Sequence, residues 1–111
     1  MSEALDKKWQ LIKELMEEMR ERSEKTSELC KTLSLDFESP LVTPIFEAED
    51  ATIRAISMLL GDQLETLDWF VYECDYGRKE MEAGKGDDMR KICTYEDLRW
   101  LIELNTEGEG R

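Results

Sequence analysis

The 111-residue sequence contains no histidine. It therefore lacks the side chain that titrates nearest neutrality and most often serves as general base or zinc ligand. Nucleophilic triads and histidine-based metal sites cannot be assembled from it. Its three cysteines, Cys30, Cys74 and Cys93, are far apart and form no CxxC, an arrangement that suits neither a zinc site nor a disulfide framework. Cys74 and Cys93 lie among apolar neighbours and read as small buried hydrophobes rather than redox groups. The chemistry left is a carboxylate cluster around Mg²⁺, a hard cation that prefers oxygen ligands. Two ExxD spacings, Glu47-x-x-Asp50 and Glu65-x-x-Asp68, offer such carboxylates on consecutive predicted helices. Glu47, however, points nearly opposite the apolar face of its helix, whereas a ligand in a bundle must project into the groove. Glu49 falls at the centre of that apolar face. It is either a carboxylate paired with a basic residue or exposed by helix tilt, or a functional carboxylate in a groove. Gly84-Lys85-Gly86 shares only its composition with a phosphate cradle, because the Walker spacing GxxxxGK[ST] is absent. No metal and no cofactor is expected.

The elements that would position these groups read as an all-α bundle of about four helices, the first long and the last short. One domain over residues 1–104 is expected, since a second core would not fit at this length. Leu5, Trp9, Ile12, Met16 and Met19 are spaced 4-3-4-3, and the beat continues through Ser23, Thr26 and Cys30, so the first helix is predicted over 2–30. Its small polar middle predicts a weak back half. Residues 32–43 break the pattern and form a linker. Thr43-Pro44 supplies a hydroxyl cap and a proline for the first turn of a helix over 44–60, which stops at Gly61. Asp62 at N-cap with Glu65 at N3 predicts a capping box opening a third helix over 63–76. Leu64, Leu67, Val71 and Cys74 form its inner stripe, with Trp69, Tyr72 and Tyr76 on the other side. The two glycines flanking Lys85 mark residues 78–93 as an exposed loop or hairpin. Thr94-Tyr-Glu-Asp97 is another capping signature and opens a last helix over 95–104, followed by a disordered tail over 105–111.

Charge carries the strongest functional signal. The chain has 15 basic and 27 acidic residues and a formal net charge of −12. Direct nucleic-acid binding is excluded, because neutralising phosphates requires clustered Lys and Arg, and an anionic membrane surface is disfavoured for the same reason. No apolar run approaches the ~20 residues needed to span a bilayer, and no signal peptide is read at the start, so a cytoplasmic location is expected. The negative charge is unevenly spread. From Thr32 to Gly77 the acids are Asp36, Glu38, Glu47, Glu49, Asp50, Asp62, Glu65, Asp68, Glu73 and Asp75, against Arg54 as the single base. The flanking segments are close to neutral. Such a face either keeps the protein dissolved or complements a basic groove on a partner, where it accelerates association and fixes register. Trp69, Tyr72 and Tyr76, interleaved with Glu65, Glu73 and Asp75, match the aromatic anchors ringed by charge that protein interfaces use.

Two resemblances to known families add to this reading. The pair of ExxD spacings resembles in outline the metal-binding motifs of all-α nucleotide pyrophosphohydrolases of the MazG type, which implies Mg²⁺-dependent hydrolysis. The stretch Asp68-Trp-Phe-Val-Tyr-Glu-Cys-Asp-Tyr-Gly-Arg-Lys79, followed by Met81-Glu-Ala-Gly84 and Ile92-x-Thr-x-Glu-Asp-Leu98, resembles a pattern in small acidic hypothetical proteins of phages and prophages. The residues that carry that resemblance run from Asp68 to Leu98, and it implies an accessory protein acting on a host component. The expectation is a non-enzymatic binding protein. It would present Asp62, Glu65, Asp68, Trp69, Tyr72, Glu73, Asp75 and Tyr76 to a basic, nucleic-acid-processing host protein, as an inhibitor or modulator and in one version a DNA mimic. The alternatives are a homodimeric scaffold protein using the first helix and the Mg²⁺-dependent hydrolase.

Overall fold

A computed structural model describes residues 3–36 and 38–109. It is mostly helical, and it adds to the expected helices one two-stranded antiparallel sheet, so the all-α expectation is corrected to helices plus a hairpin. Chain contacts cluster into two compact units, Met1–Ala55 and Ile56–Arg111. Each is described by itself.

The first unit is built on α1 (Glu3–Leu33) and most of α2 (Thr43–Leu59). Trp9, Ile12, Met16, Met19, Thr26 and Cys30 are buried along α1, the face that the 4-3 spacing predicts. Thr26 lies buried within this seam because its hydroxyl donates to the Arg22 carbonyl one turn back (2.9 Å). That bond satisfies the Thr26 hydroxyl, and the helix runs three residues past its expected end. The Leu35 N–H closes it by donating to the Cys30 carbonyl (2.8 Å). Residues 34–36 and 38–42 form no regular element and include several turns. The Asp36 carboxylate accepts from the Glu38 N–H (2.9 Å), the Ser39 hydroxyl accepts from the Leu41 N–H (3.3 Å), and the Ser39 carbonyl accepts from the Val42 N–H (3.1 Å).

In the second unit, the last turn of α2 closes as the sequence predicts. Gly61 takes φ +78°, and the Asp62 N–H reaches back to the Ser57 carbonyl (2.8 Å), a Schellman-type end. Asp62 is itself left-handed (φ +65°), so it cannot cap the next helix, and the expected Asp62–Glu65 capping box is corrected. The N-cap is Gln63, with no side-chain cap bond. Then α3 (Leu64–Asp68) passes into a π-helical turn (Trp69–Glu73), sealed by the Cys74 N–H donating to the Trp69 carbonyl (3.2 Å). Asp75, Tyr76 and Gly77 follow with φ of +53°, +55° and +82°, which end the helix three residues before the predicted position.

Strands β1 (Met81–Lys85) and β2 (Asp88–Ile92) pair from Met81↔Ile92 to Lys85↔Asp88. Gly86, the first residue of the two-residue turn, has φ +61°, as a type II′ connection requires. The hairpin lies against α4 (Tyr95–Glu109), where the Arg90 guanidinium stacks 3.7 Å from the centre of the Trp100 ring. Helix α4 opens with the predicted capping box. The Asp97 N–H donates to the Thr94 hydroxyl (3.1 Å), and the Asp97 carboxylate accepts from the Thr94 and Cys93 N–H groups (3.0 Å each). Leu98, Leu101 and Ile102 are buried. The tail expected from 105 is corrected: residues 105–109 continue α4, while 110 and 111 lie outside the described residues.

Candidate functional site

The acidic candidate residues of the second unit sit on one continuous segment, from the end of α2 to the left-handed turn. Asp62, Glu65 and Glu73 are exposed, and Asp68, Trp69 and Asp75 are half-buried. Tyr72 is 57% exposed. No Lys or Arg occurs anywhere from Ala55 to Gly77, so this segment holds no base of its own to neutralise its carboxylates. Tyr76 does not belong to the face. It is only 6% exposed and counts among the core residues. The reason is geometric. A wheel at 100° per residue fails once the backbone enters the wider π turn, and the left-handed residues then reverse the direction of the chain.

This reversal is held by close packing around Gly77. A Cβ there would collide with the Cys93 carbonyl, and the Cys93 thiol donates to the Gly77 carbonyl (3.2 Å). The Gly77 and Lys79 N–H groups both donate to the Cys74 carbonyl (3.1 and 2.9 Å). Cys74 is fully buried, and Cys93 is half-buried. Burial pushes the Cys74 thiol up to about 11, with the charges of Cys93 and Glu73 adding to the effect. A thiol so protonated is a poor nucleophile at neutral pH, in line with the structural role expected for it. Phe70, also fully buried, packs against the Tyr95 ring at 5.5 Å between centroids and ties the π turn to α4.

At the start of α3 a cleft of about 450 Å³ opens, lined by Asp62, Gln63, Leu64, Glu65, Thr66 and Asn105. A chain of side-chain bonds forms its floor. Asn105 donates to the Thr66 hydroxyl (3.5 Å), Thr66 to the Gln63 side-chain oxygen Oε1 (3.3 Å), and the Gln63 side-chain NH₂ to the Thr106 hydroxyl (3.3 Å). These bonds explain how the Gln63 amide is buried without an orphaned group. Sequence reasoning missed Gln63, Thr66 and Asn105. Asn105 and Thr106 lie in the stretch that the sequence presents as a tail, and only the continuation of α4 brings them to α3.

No family model matches the chain, and no curated protein or solved structure is significantly similar to it. The reading therefore rests on the residues themselves. Among those described, no group of three or more His, Cys, Asp or Glu side chains gathers where it could hold a metal ion. Of the ExxD carboxylates, Glu47, Asp50 and Glu65 are exposed and Asp68 is half-buried. Glu49 is buried in the first unit, where it shares with Met19, Arg22 and Ile45 a cavity of about 10 Å³. That volume is about what one water needs, so it is no groove for a substrate. Arg22 on its border is a base of the kind that the paired reading of Glu49 requires. None of the described helices is long and apolar enough to cross a membrane.

Proposed function

We propose that this chain is a non-enzymatic binding protein whose second unit offers the segment 62–75 to a basic surface on a partner protein. The observation that carries the reading is the half-exposed Tyr72 ring set among Asp62, Glu65, Asp68, Glu73 and Asp75 on a segment without a base. An aromatic anchor surrounded by charge gives both parts of a specific contact. The ring supplies buried area at small entropic cost, and the carboxylates steer the encounter and set its register. The cleft beside Asp62 and Glu65 gives a partner's long basic side chain a place to enter, with carboxylates at its rim and the Asn105 amide within. Trp69, half-buried beside Tyr72 in sequence terms one turn back, extends the apolar part of the contact.

The partner best suited to such a face is a protein whose own ligand is nucleic acid, since carboxylates on a helix can stand where phosphates would. The phage-type resemblance of Asp68–Lys79 adds a host protein as the context, in the cytoplasm, with inhibition or modulation as the outcome. The test is capture from a bacterial lysate on the immobilised full chain. A basic, nucleic-acid-processing protein should be recovered, and joint substitution of Asp62, Glu65, Asp68 and Glu73 by Lys should abolish its recovery. Undiminished capture by that variant would rule out the acidic segment as the contact.

A further inference from the structure

The regular 4-3 seam of α1 is buried, yet the helix carries a second apolar line that is not. Leu11, Leu15, Leu29 and Leu33 are 51%, 41%, 46% and 57% exposed. At about 100° per residue, Leu11 and Leu29 share one angle on the helix and Leu15 and Leu33 another about 40° away. The four therefore lie along one edge as two pairs, about 21 Å apart, with Glu18, Arg22 and Lys25 between them. Isolated exposed leucines need no explanation, but an aligned set on one helix marks a contact surface. Their positions are also symmetric. Leu11 and Leu33 lie eleven residues to either side of Arg22, and Leu15 and Leu29 lie seven to either side, with Arg22 exposed on the stripe itself.

We propose that the occupant of this stripe is a second copy of the chain, with the two α1 helices antiparallel and crossing at Arg22. A two-fold axis there sets Leu11 against Leu33 of the second copy and Leu15 against its Leu29. This is the isologous pairing that a symmetric dimer requires. Charge decides the direction. Glu18 and Lys25, exposed on the outer margin of the stripe, have no ion-pair partner among the described residues. In a parallel pair each would face its own like charge, whereas in the antiparallel pair Glu18 of each chain faces Lys25 of the other. Opposed helix dipoles favour the same direction. Arg22, which borders the Glu49 cavity of its own chain, meets its own copy at the axis with Glu18 of the opposite helix one turn away, and such a polar residue in an apolar seam fixes register at some expense of affinity. This surface belongs to the first unit and is separate from the acidic segment proposed above.

Sedimentation equilibrium of the full chain, from low micromolar to near-millimolar concentration, should show a species of twice 13.0 kDa. Joint Leu15→Glu and Leu29→Glu substitution at these exposed positions should leave helical circular dichroism unchanged and weaken the dimer at least about a hundredfold. Direction is read by oxidising chains that carry Leu11→Cys or Leu33→Cys and mapping the linked peptides. The mixture should join position 11 to position 33, and Leu11→Cys alone should not join to itself. A 13.0 kDa monomer at every concentration, a dimer indifferent to the leucine pair, or efficient 11-to-11 linkage would each overturn the proposal.

Discussion

Gly61 and Gly77 have nearly the same backbone conformation, φ +78° and +82°, in very different surroundings. That makes them a matched pair for testing how the left-handed turn of the second unit is held. Around Gly61 nothing lies within 4 Å of an added Cβ. Gly61→Ala therefore incurs only the left-handed penalty of an L-residue, roughly 1–2 kcal/mol. The loss of unfolded-state entropy offsets about 0.4–1 kcal/mol of this, leaving a net destabilisation of about 1 kcal/mol. At Gly77 the same change drives the methyl into the Cys93 carbonyl, with Phe70 Cζ 3.4 Å away. To accommodate it, β2 must move from the turn. That movement breaks the Cys93 thiol contact and loosens the Phe70–Tyr95 packing. Overpacking of this kind costs about 1–3 kcal/mol and a lost hydrogen bond about 1 kcal/mol, so Gly77→Ala should destabilise by about 3–5 kcal/mol in total. Urea denaturation followed by tryptophan fluorescence and circular dichroism measures both variants against the parent chain. A gap of at least about 2 kcal/mol is expected. Two variants within about 0.5 kcal/mol of each other would refute the claim that Cys93 and Gly77 are in contact.

Other consequences follow from the same geometry. Thr94→Ala removes the hydroxyl half of the α4 capping box and should cost about 1 kcal/mol in the same denaturation experiment. Partial burial pushes the Asp97 carboxyl up, but the Cys93 and Thr94 hydrogen bonds and the Arg90 charge outweigh it and hold the group below 3.8. Its folded-state value is thus depressed, so its stabilisation is complete above the ordinary carboxylate range and is lost as pH falls through the lowered value. In Asp97→Asn the acid limb of the stability–pH curve should flatten, as read by denaturation at stepped pH. With iodoacetamide at pH 8, mass spectrometry should find Cys93 alkylated well before Cys74, whose thiol is buried and pushed up to about 11.

How much of this was legible in the sequence depends on the backbone at each place. The α1 seam, the Gly61 stop and the Thr94–Asp97 cap were readable because regular helix periodicity and cap chemistry are local. The hairpin was foreseen only as one of two options, because Met81–Lys85 and Asp88–Ile92 carry little strand propensity and are fixed by the Gly86 turn and by packing on α4. The site was readable as charge but not as geometry. The π turn at Trp69–Glu73 and the left-handed run at Asp75–Gly77 leave no periodic trace. Tyr76, expected outside with Trp69 and Tyr72, therefore turned inward. The cleft was invisible for a different reason: Asn105 and Thr106, in a polar stretch with glycines close behind, look like an ending and are in fact the last turns of a helix.

The central claim is that the negative charge has an address rather than being a bulk property. It is tested by comparing two charge reversals of equal size on the immobilised full chain. One changes Asp62, Glu65, Asp68 and Glu73 to Lys, and the other changes Glu3, Glu14, Glu21 and Glu28, all exposed on α1, to Lys. The measurement is recovery of the basic partner from lysate by each variant. The account predicts that the first variant loses the partner and the second retains it. Equal loss in both, or retention by the first, would contradict it.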